Sequence, residues 1–537
     1  MAEFFEDIKF ELYISSEWVD VSADVLVSPS PRGSVGILNN GFLDRTPDGN
    51  TLTFSLDNSA SNSQATLGYY STLNPGNLVR LSFQYDGRRK YKFYGYILPD
   101  GVKVYAGTLG LRRVDVTARD WFGIAAEYKI KEVAYTTNKR ANEAIPLLIA
   151  ELPTELQPDS TTFGDTLLAG LIFVDLFDMM NSDTTILAEI NKMAVSEMAY
   201  CYMRPRETIP PALYYDTIYY RSGVSANTNI YKPSSETTDL FLLANGTDNM
   251  LLADGTSQLL LTELQTISFG DADIWTGREL EANTGANFAN YSKITLSPRI
   301  RDADATNVLW NMESYMELTA GQTVTGIIAR YRDPNNRANK VNCIAGTPPV
   351  KNTDFKAYAN SDGTGTDLSD YLAVSVEFYT AEAFITLTNT SGTTLYTGGE
   401  DILFQLRGQG VYVYDTVDYL IEEANAFDPY GGRRALDFNI PYTPASVLTI
   451  KTYAAQMLAS AADRHVTINR YPLFANRDVK NMMAFMFLEP GHRATFAETV
   501  TGYNEESFIN GYEFEIIAGK FVAWAPCLFR YDDVPVE

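Results

Sequence analysis

The stretch Val79-Arg80-Leu81-Ser82-Phe83-Gln84-Tyr85-Asp86-Gly87-Arg88-Arg89-Lys90-Tyr91-Lys92-Phe93-Tyr94-Gly95-Tyr96-Ile97 reads as a β-hairpin. Val79, Leu81, Phe83 and Tyr85 alternate with other residues, Asp86-Gly87 supplies the turn, and Tyr91, Phe93 and Tyr96-Ile97 return. Successive side chains on a strand point to opposite faces, and an Asp-Gly pair accepts the positive φ that a tight hairpin needs. The same alternation surrounds it, in Phe10, Leu12 and Ile14, in Leu52, Phe54 and Leu56 after Asp48-Gly49, and in Val114 and Val116. With no helical period among them, these segments predict a small β-barrel or sandwich at the start of the chain.

Further along, the period changes. Ala141, Ile145, Leu148, Ile149 and Leu152 recur at helical spacing until Pro153, and Ile186, Leu187, Ile190, Met193, Ala194 and Met198 form a second stripe that Asp183 is placed to cap. Strand-like runs at 200–206 and 212–221 complete an α+β pattern. Residues 242–260 hold a short repeat, Leu242-Leu243-Ala244-Asn245-Gly246-Thr247 echoed by Leu251-Leu252-Ala253-Asp254-Gly255-Thr256, which predicts hairpins in an inserted segment. Candidate strands at 323–329, 372–378, 383–387 and 402–406, separated by Gly/Asn/Asp/Thr turns, predict an immunoglobulin-like β-sandwich without its disulfide. Thr443 then Pro444 predict a helix start, with Val447, Ile450, Ala454, Met457, Leu458 and Ala461 as its apolar face. Met483/Phe485/Phe487, the Glu489-Pro490-Gly491 turn, Tyr512/Phe514/Ile516 and 521–524 predict a second barrel at the chain's end.

Composition removes several function classes. The 537 residues carry 42 Lys+Arg against 67 Asp+Glu, a formal charge of −25. Phosphate-driven nucleic-acid binding needs a basic surface that releases counterions, so stable nucleic-acid binding is not expected. Hydrophobic residues at 45% are enough to build several cores. The three cysteines, Cys201, Cys343 and Cys527, are far apart and odd in number, which predicts buried thiols rather than a disulfide framework. The start, Met1-Ala2-Glu3-Phe4-Phe5-Glu6-Asp7, is acidic where a secretory leader is basic, and the most apolar run, Leu167–Val174, is too short for a membrane span. These features predict synthesis and folding in a cytoplasm.

No residue pattern for catalysis, cofactor binding or metal ligation stands out, so no catalytic, cofactor or metal residue is expected. Of the two histidines, His465 follows the C-terminal helix and His492 follows Pro490-Gly491, neither with ligands at metal spacing, so both read as helix-end and surface residues. Nucleotide-binding glycine loops and nucleophile elbows are missing, since Gly408-Gln409-Gly410 lacks a third glycine. Asp271, Asp273, Glu279 and Glu281 around Trp275 form the one acidic cluster with an aromatic platform, and an acid/base pair for glycoside cleavage there needs two carboxyls across a cleft. Asp362-Gly363-Thr364-Gly365-Thr366-Asp367 with Asp370 looks like a calcium loop but lacks the alternating ligands and terminal Glu, and reads as a turn.

Four places resemble the tail hub, or minor tail, proteins of long-tailed bacteriophages. Trp18-Val19-Asp20-Val21, Arg32-Gly33, Asp44-Arg45, Leu52–Asn58, Asn74-Pro75-Gly76-Asn77-Leu78-Val79-Arg80-Leu81 and Phe93-Tyr94-Gly95-Tyr96-Ile97 are similar to that family's opening domain. Ser196-Glu197-Met198-Ala199-Tyr200-Cys201-Tyr202 resembles its helix-to-strand passage, with Ala199 where the family has Gly. Tyr430-Gly431-Gly432-Arg433-Arg434 resembles its Tyr-Gly-Arg-Arg turn with one extra glycine, and Phe508–Ile516 its last hairpin. Residues 231–425 carry no specific likeness.

The resemblance implies a structural protein of the virion tail tip, assembled in the host cytoplasm. Such hubs are homotrimers in which two similar barrels per chain make a pseudo-sixfold ring. That ring joins the hexameric tail tube and distal tail protein to the tip, contacts tape-measure protein and tail-fibre or receptor-binding proteins, and surrounds the DNA exit channel. The expected layout is mainly β and multidomain: a hub β-barrel at 1–128, an α+β domain at 129–230, a β-hairpin repeat insertion at 231–268, a β-sandwich at 269–426, and a helix with a second hub β-barrel at 427–537. The alternatives are a carbohydrate-active or glycan-binding tail protein using the acidic residues near Trp275, and a bacterial adhesin of stacked β-domains, which the lack of a leader disfavours.

Overall fold

The computed structural model describes residues 4–38, 44–59, 68–105, 112–130, 133–158, 167–177, 183–204, 212–216, 229–230, 239–240, 260–261, 265–278, 280–284, 289–333, 339–422, 434–462, 466–518 and 520–530. The chain is mainly β, in several separate sheets, and the largest sheet gathers both ends of the sequence into 12 strands. Its N-terminal members are β1 (Asp7–Ile14), β2 (Glu17–Asp20), β3 (Arg32–Gly36), β4 (Thr51–Asp57), β5 (Leu78–Tyr85), β6 (Arg88–Tyr105) and β7 (Arg113–Arg119). They run in the order β2-β1-β5-β6-β7-β4-β3. The opening hairpin forms as its sequence predicts, with Tyr85 opposite Arg88 and with Asp86 and Gly87 at φ 51° and 70°. Two consecutive positive φ values give a turn whose twist matches that of the strands.

The C-terminal members are Ser268–Phe269, Leu473–Phe474, Arg493–Glu498, Tyr503–Ile517 and Phe521–Arg530. β3 belongs to both groups, because Arg32 and Gly33 pair with Thr53 and Leu52 on one side, and Arg32–Gly36 pair with Glu515–Gly511 on the other. The strand order does not close at either end. In each group one isolated bridge brings the edges together: Val25 to Leu56 of β4, and Ile274 to Leu473. The closing segments turn into short 3₁₀ helices, Ser22–Asp24 and Asp271–Asp273, so each has only one residue left to pair.

A single hydrophobic core underlies the whole sheet. Phe83 of β5 packs edge-on against Phe485 at 5.0 Å and against Phe514 at 6.1 Å, so aromatic rings from the two chain ends interlock. Phe485 lies on a helix, Val479–Phe487, where alternation of Met483, Phe485 and Phe487 predicts a strand. Met482, Ala484 and Met486 are apolar too, so the helix is buried nearly all round and carries no period of its own. The Asp478 carboxylate fixes its start by accepting the Asn481 N–H at 2.8 Å.

The other bodies have their own cores. Helices Trp121–Glu127, Ala141–Ile149 and Ile186–Ser196 pack with the hairpin Tyr200–Arg204/Ala212–Asp216 and the pair Thr136–Arg140/Ile172–Leu176. The expected cap of the last of these helices lies elsewhere: Thr185, not Asp183, accepts the Ala188 N–H, while Asp183 pairs with Lys129 at 2.6 Å. The sandwich sets Thr323–Arg330, Glu382–Asn389 and Leu372–Phe378 over Arg299–Arg301, Asn307–Asn311, Gln405–Val413 and Lys340–Thr347, sharing a core of Leu309, Cys343, Ile385 and Leu406. Strands Tyr291–Leu296, Val417–Glu422 and Ala435–Ile440 form a separate sheet against helix Val447–Ala462. That helix starts after Ser446, whose hydroxyl accepts from Thr449. Thr443 and Pro444 are extended, held on Ile172–Leu176 by the Val174 N–H to Thr443 carbonyl bond at 3.1 Å. The repeat at 242–256 and the Tyr430–Arg433 turn lie outside the described residues.

Candidate functional site

The two ends of the big sheet carry the same turn. At Asn74-Pro75-Gly76-Asn77 the Gly76 N–H donates to the Ile97 carbonyl at 2.8 Å, and the Ile97 N–H donates back to the Asn77 carbonyl at 2.9 Å. At Glu489-Pro490-Gly491-His492 the Gly491 N–H donates to Ile509 at 2.8 Å, and Ile509 donates back to His492 at 2.9 Å. The first residue's N–H is capped by the fourth side chain in both, by Asn77 Oδ1 at 2.6 Å and by His492 Nδ1 at 3.2 Å. The turn glycines sit at φ 86° and 88°, which only glycine adopts without strain. A helix precedes each turn, and a long hairpin follows, β5–β6 in one case and Arg493–Glu498/Tyr503–Ile517 in the other.

The closing segments repeat as well. After Ser22-Ala23-Asp24 and after Asp271-Ala272-Asp273, the next residue makes the lone bridge, and the one beyond donates across: Leu26 N–H to Ser55 at 2.8 Å, Trp275 N–H to Pro472 at 2.9 Å. Asp24 and Asp273 are buried and tie this segment to the start of the neighbouring helix. Asp24 accepts from the Tyr69 hydroxyl, and Asp273 accepts from Lys480 Nζ at 2.7 Å and Asn481 Nδ2 at 3.0 Å. Burial works to raise the Asp273 carboxyl, but Lys480, the Gly270 N–H and Asn481 outweigh it and hold it below the ordinary range.

Between the two units lies a buried ionic seam. Lys92 of β6 is fully enclosed, its Nζ 2.6 Å from Glu489 Oε1 and 3.1 Å from the Tyr512 hydroxyl, which itself donates to Glu489 Oε2 at 3.1 Å. The ammonium also faces the rings of Phe485 and Tyr512 at 5.2 and 5.1 Å. Burial pulls Lys92 down to about 8, against the pull of Glu489 in the other direction, and burial with Glu489 pushes Tyr512 well above its ordinary value. Arg204 reaches in from the α+β body and donates to the Pro490 carbonyl at 2.8 Å while stacking on Tyr214 at 4.3 Å. His492 is therefore no surface residue of a free turn: burial, with Arg204, Lys90 and Lys92 nearby, holds its imidazole well below the ordinary value, so neutral Nδ1 serves as an acceptor. These contacts join the two units to each other and to the α+β body.

Two carboxylates of the acidic cluster around Trp275 are engaged structurally. Asp271 accepts from both the N–H and the hydroxyl of Thr499, which lowers its carboxyl, and Asp273 is the buried clamp just described. Trp275 stacks on Phe474 at 6.0 Å, Glu281 opens a strand paired with Arg470, and Glu279 lies outside the described residues. In the glycine-rich loop Asp362 caps Thr364, Asp367 caps Ser369, and Asp370 pairs with Lys351. Among the described residues no group of His, Cys, Asp or Glu is gathered to hold a metal, and no helix is long and apolar enough to cross a membrane. All three cysteines are buried and none is in a disulfide, and His465 lies outside the described residues. Lys92, Glu489 and Asp24 carry no catalytic pattern, and Asp273, one of the acidic cluster around Trp275, holds a clamp instead. The signal for them was the pairing of Ala-Asp-Val with Ala-Asp-Ile, and of Asn-Pro-Gly-Asn with Glu-Pro-Gly-His, across the length of the chain.

No family model and no curated protein sequence matches the chain. Among solved structures it is similar to a tail protein from Neisseria meningitidis MC58, at 10% identity and TM-score 0.41, over 98% of this chain and 97% of the other. It is similar to the 43 kDa tail protein of prophage MuSo2 from Shewanella oneidensis, at 8% identity and TM-score 0.43, over 98% and 100%. A prophage tail protein from Listeria monocytogenes EGD-e is similar at 8% identity and TM-score 0.39, over 97% and 94%.

Proposed function

We propose that the chain is a structural, non-enzymatic hub of a phage tail: a homotrimer whose six β-units ring the channel where the tube meets the tip. The observation that carries this reading is the duplicated unit. Each chain holds two copies of one arrangement, closing bridge, Asp clamp, helix, Pro-Gly turn and long hairpin, fused through β3 into a single sheet. Three such chains present six near-equivalent surfaces to a sixfold tube and the distal tail protein, and threefold surfaces to the tip, which is how one polypeptide spans a symmetry mismatch. The motifs shared with tail hub proteins point the same way. Tape-measure protein inside the ring and fibre or receptor-binding proteins outside it are the partners this position requires.

The net charge of −25 suits that position. A channel wall that repels phosphates offers no counterion-release gain, so DNA passes without being held. The reading is tested by native mass spectrometry of the purified chain and of tails: a trimer in both supports it, and a monomer that never enters a tail removes it.

A further inference from the structure

The duplication is complete enough to show which surface of the N-terminal unit lacks its cover. Within the chain, the C-terminal unit is covered by β3, which pairs antiparallel with Gly511–Glu515 and sets Gly33 opposite Phe514. Phe514 and Tyr512 are buried as a result, and a Cβ added at Gly33 would stand 2.3 Å from the Phe514 ring. Pro490-Gly491 is buried at the same seam, where a Cβ on Gly36 would stand 2.6 Å from Pro490.

The equivalent surface of the N-terminal unit follows from the register. Ile97 and Ile509 receive the same turn bonds, and they pair with Ala118 and Leu528. Four residues before these partners come Val114 and Trp524, which face Val104 and Phe514. Val104 is thus the counterpart of Phe514, and Tyr105 that of Glu515. Among the described residues the second edge of β6 from Pro99 to Tyr105 pairs with no strand. Val104 is 50% and Tyr105 45% exposed, where Phe514 is 3% exposed. The turn Asn74-Pro75-Gly76 is exposed too, while its counterpart is buried. An open, apolar sheet edge is an association hazard unless something covers it.

The counterpart of β3 is also present. β3 begins seven residues after the bridging Val25 and pairs with β4; strand Glu281–Thr284 begins seven after the bridging Ile274 and pairs with Val466–Arg470. Among the described residues that strand has no second partner. We propose that strand Glu281–Thr284 of one chain pairs antiparallel with Val102–Tyr105 of a second copy, placing Ala282 opposite Val104 and the second copy's Asn74-Pro75-Gly76 turn beside it. The contact repeats between molecules the seam that β3 makes within one, so it is heterologous, the class of contact from which rings are built. That the ring holds three copies rests on the proposed function; the residues that meet do not.

The test uses the full chain carrying Val104→Cys and Ala282→Cys together, oxidised mildly and run on a non-reducing gel beside native mass spectrometry of the same sample. The expected result is disulfide-linked dimers and trimers that neither single variant gives, nor Val104→Cys combined with Val500→Cys. A trimer without cross-links, or a disulfide confined to one chain, overturns this contact and leaves the ring reading standing. A chain that stays monomeric at every concentration overturns both. As a second arm, Val104→Glu with Tyr105→Glu should keep the circular dichroism of the folded chain and weaken trimer formation at least tenfold; unchanged assembly overturns the contact.

Discussion

Lys92 and Glu489 illustrate how a buried pair enforces a joint. Removing one partner strands the other charge, whereas removing both leaves only a packing change. Lys92→Met should therefore destabilise the chain by about 3–5 kcal/mol, and Lys92→Met with Glu489→Gln should recover most of that loss. Denaturant unfolding of the two singles and the double checks it, and additive effects would show that the two side chains do not act as a pair. Glu197 offers a pH test. Enclosed with the Tyr215 hydroxyl and the Leu171 N–H, its carboxyl is pushed by burial up to about 7, above the ordinary 4.5. Between those values the folded chain holds a proton that the unfolded chain has lost, so this group's contribution is full below about pH 4.5 and falls as pH rises through 7. Glu197→Gln should accordingly gain stability relative to wild type on going from pH 5 to pH 8, by on the order of 3 kcal/mol. A difference that is flat with pH would contradict the buried-carboxyl account.

At the scale of elements, hairpins with marked turns were legible and closure was not. Asp86-Gly87 and the alternating run around it specify their own pairing locally. The helix Val479–Phe487 was hidden because a segment buried on all sides carries no period, and the shift of the last long helix from Thr443 to Ser446 depended on a strand far away in sequence capturing Pro444. Nor does alternation show that β3 pairs with strands of both units; only the glycine at 33 hints at it. The Phe514 ring occupies the space a side chain there would take, so Gly33→Val should destabilise the chain by about 1–3 kcal/mol through overpacking. Thermal unfolding measures this, and a neutral effect would mean that the β3 seam is loose. The duplicated motifs could have been found in sequence by setting residues 21–25 and 74–77 against 270–274 and 489–492, whereas the exposed edge at Val104 could not, because it is defined by what fails to cover it.

Over the whole molecule, a chain made of two like units in tandem is suited to a ring with twice as many surfaces as subunits. The acidic excess belongs to this scale. If carboxylates line the ring, reversing several of the lumen-facing ones to lysine should slow DNA exit from particles and steepen its salt dependence, which single-particle ejection assays would register; unchanged ejection would place the charge elsewhere. The sandwich has a core of its own, separate from that of the frame. The account as a whole stands on the equivalence of the two units in the assembled particle. The most direct measurement is a cryo-electron-microscopy map of the tail tip with this chain labelled. The account predicts three copies at the end of the tube, with six similar β-units alternating around an open axial channel. A single copy, or copies off the axis with the Val104 edge facing solvent, would contradict it.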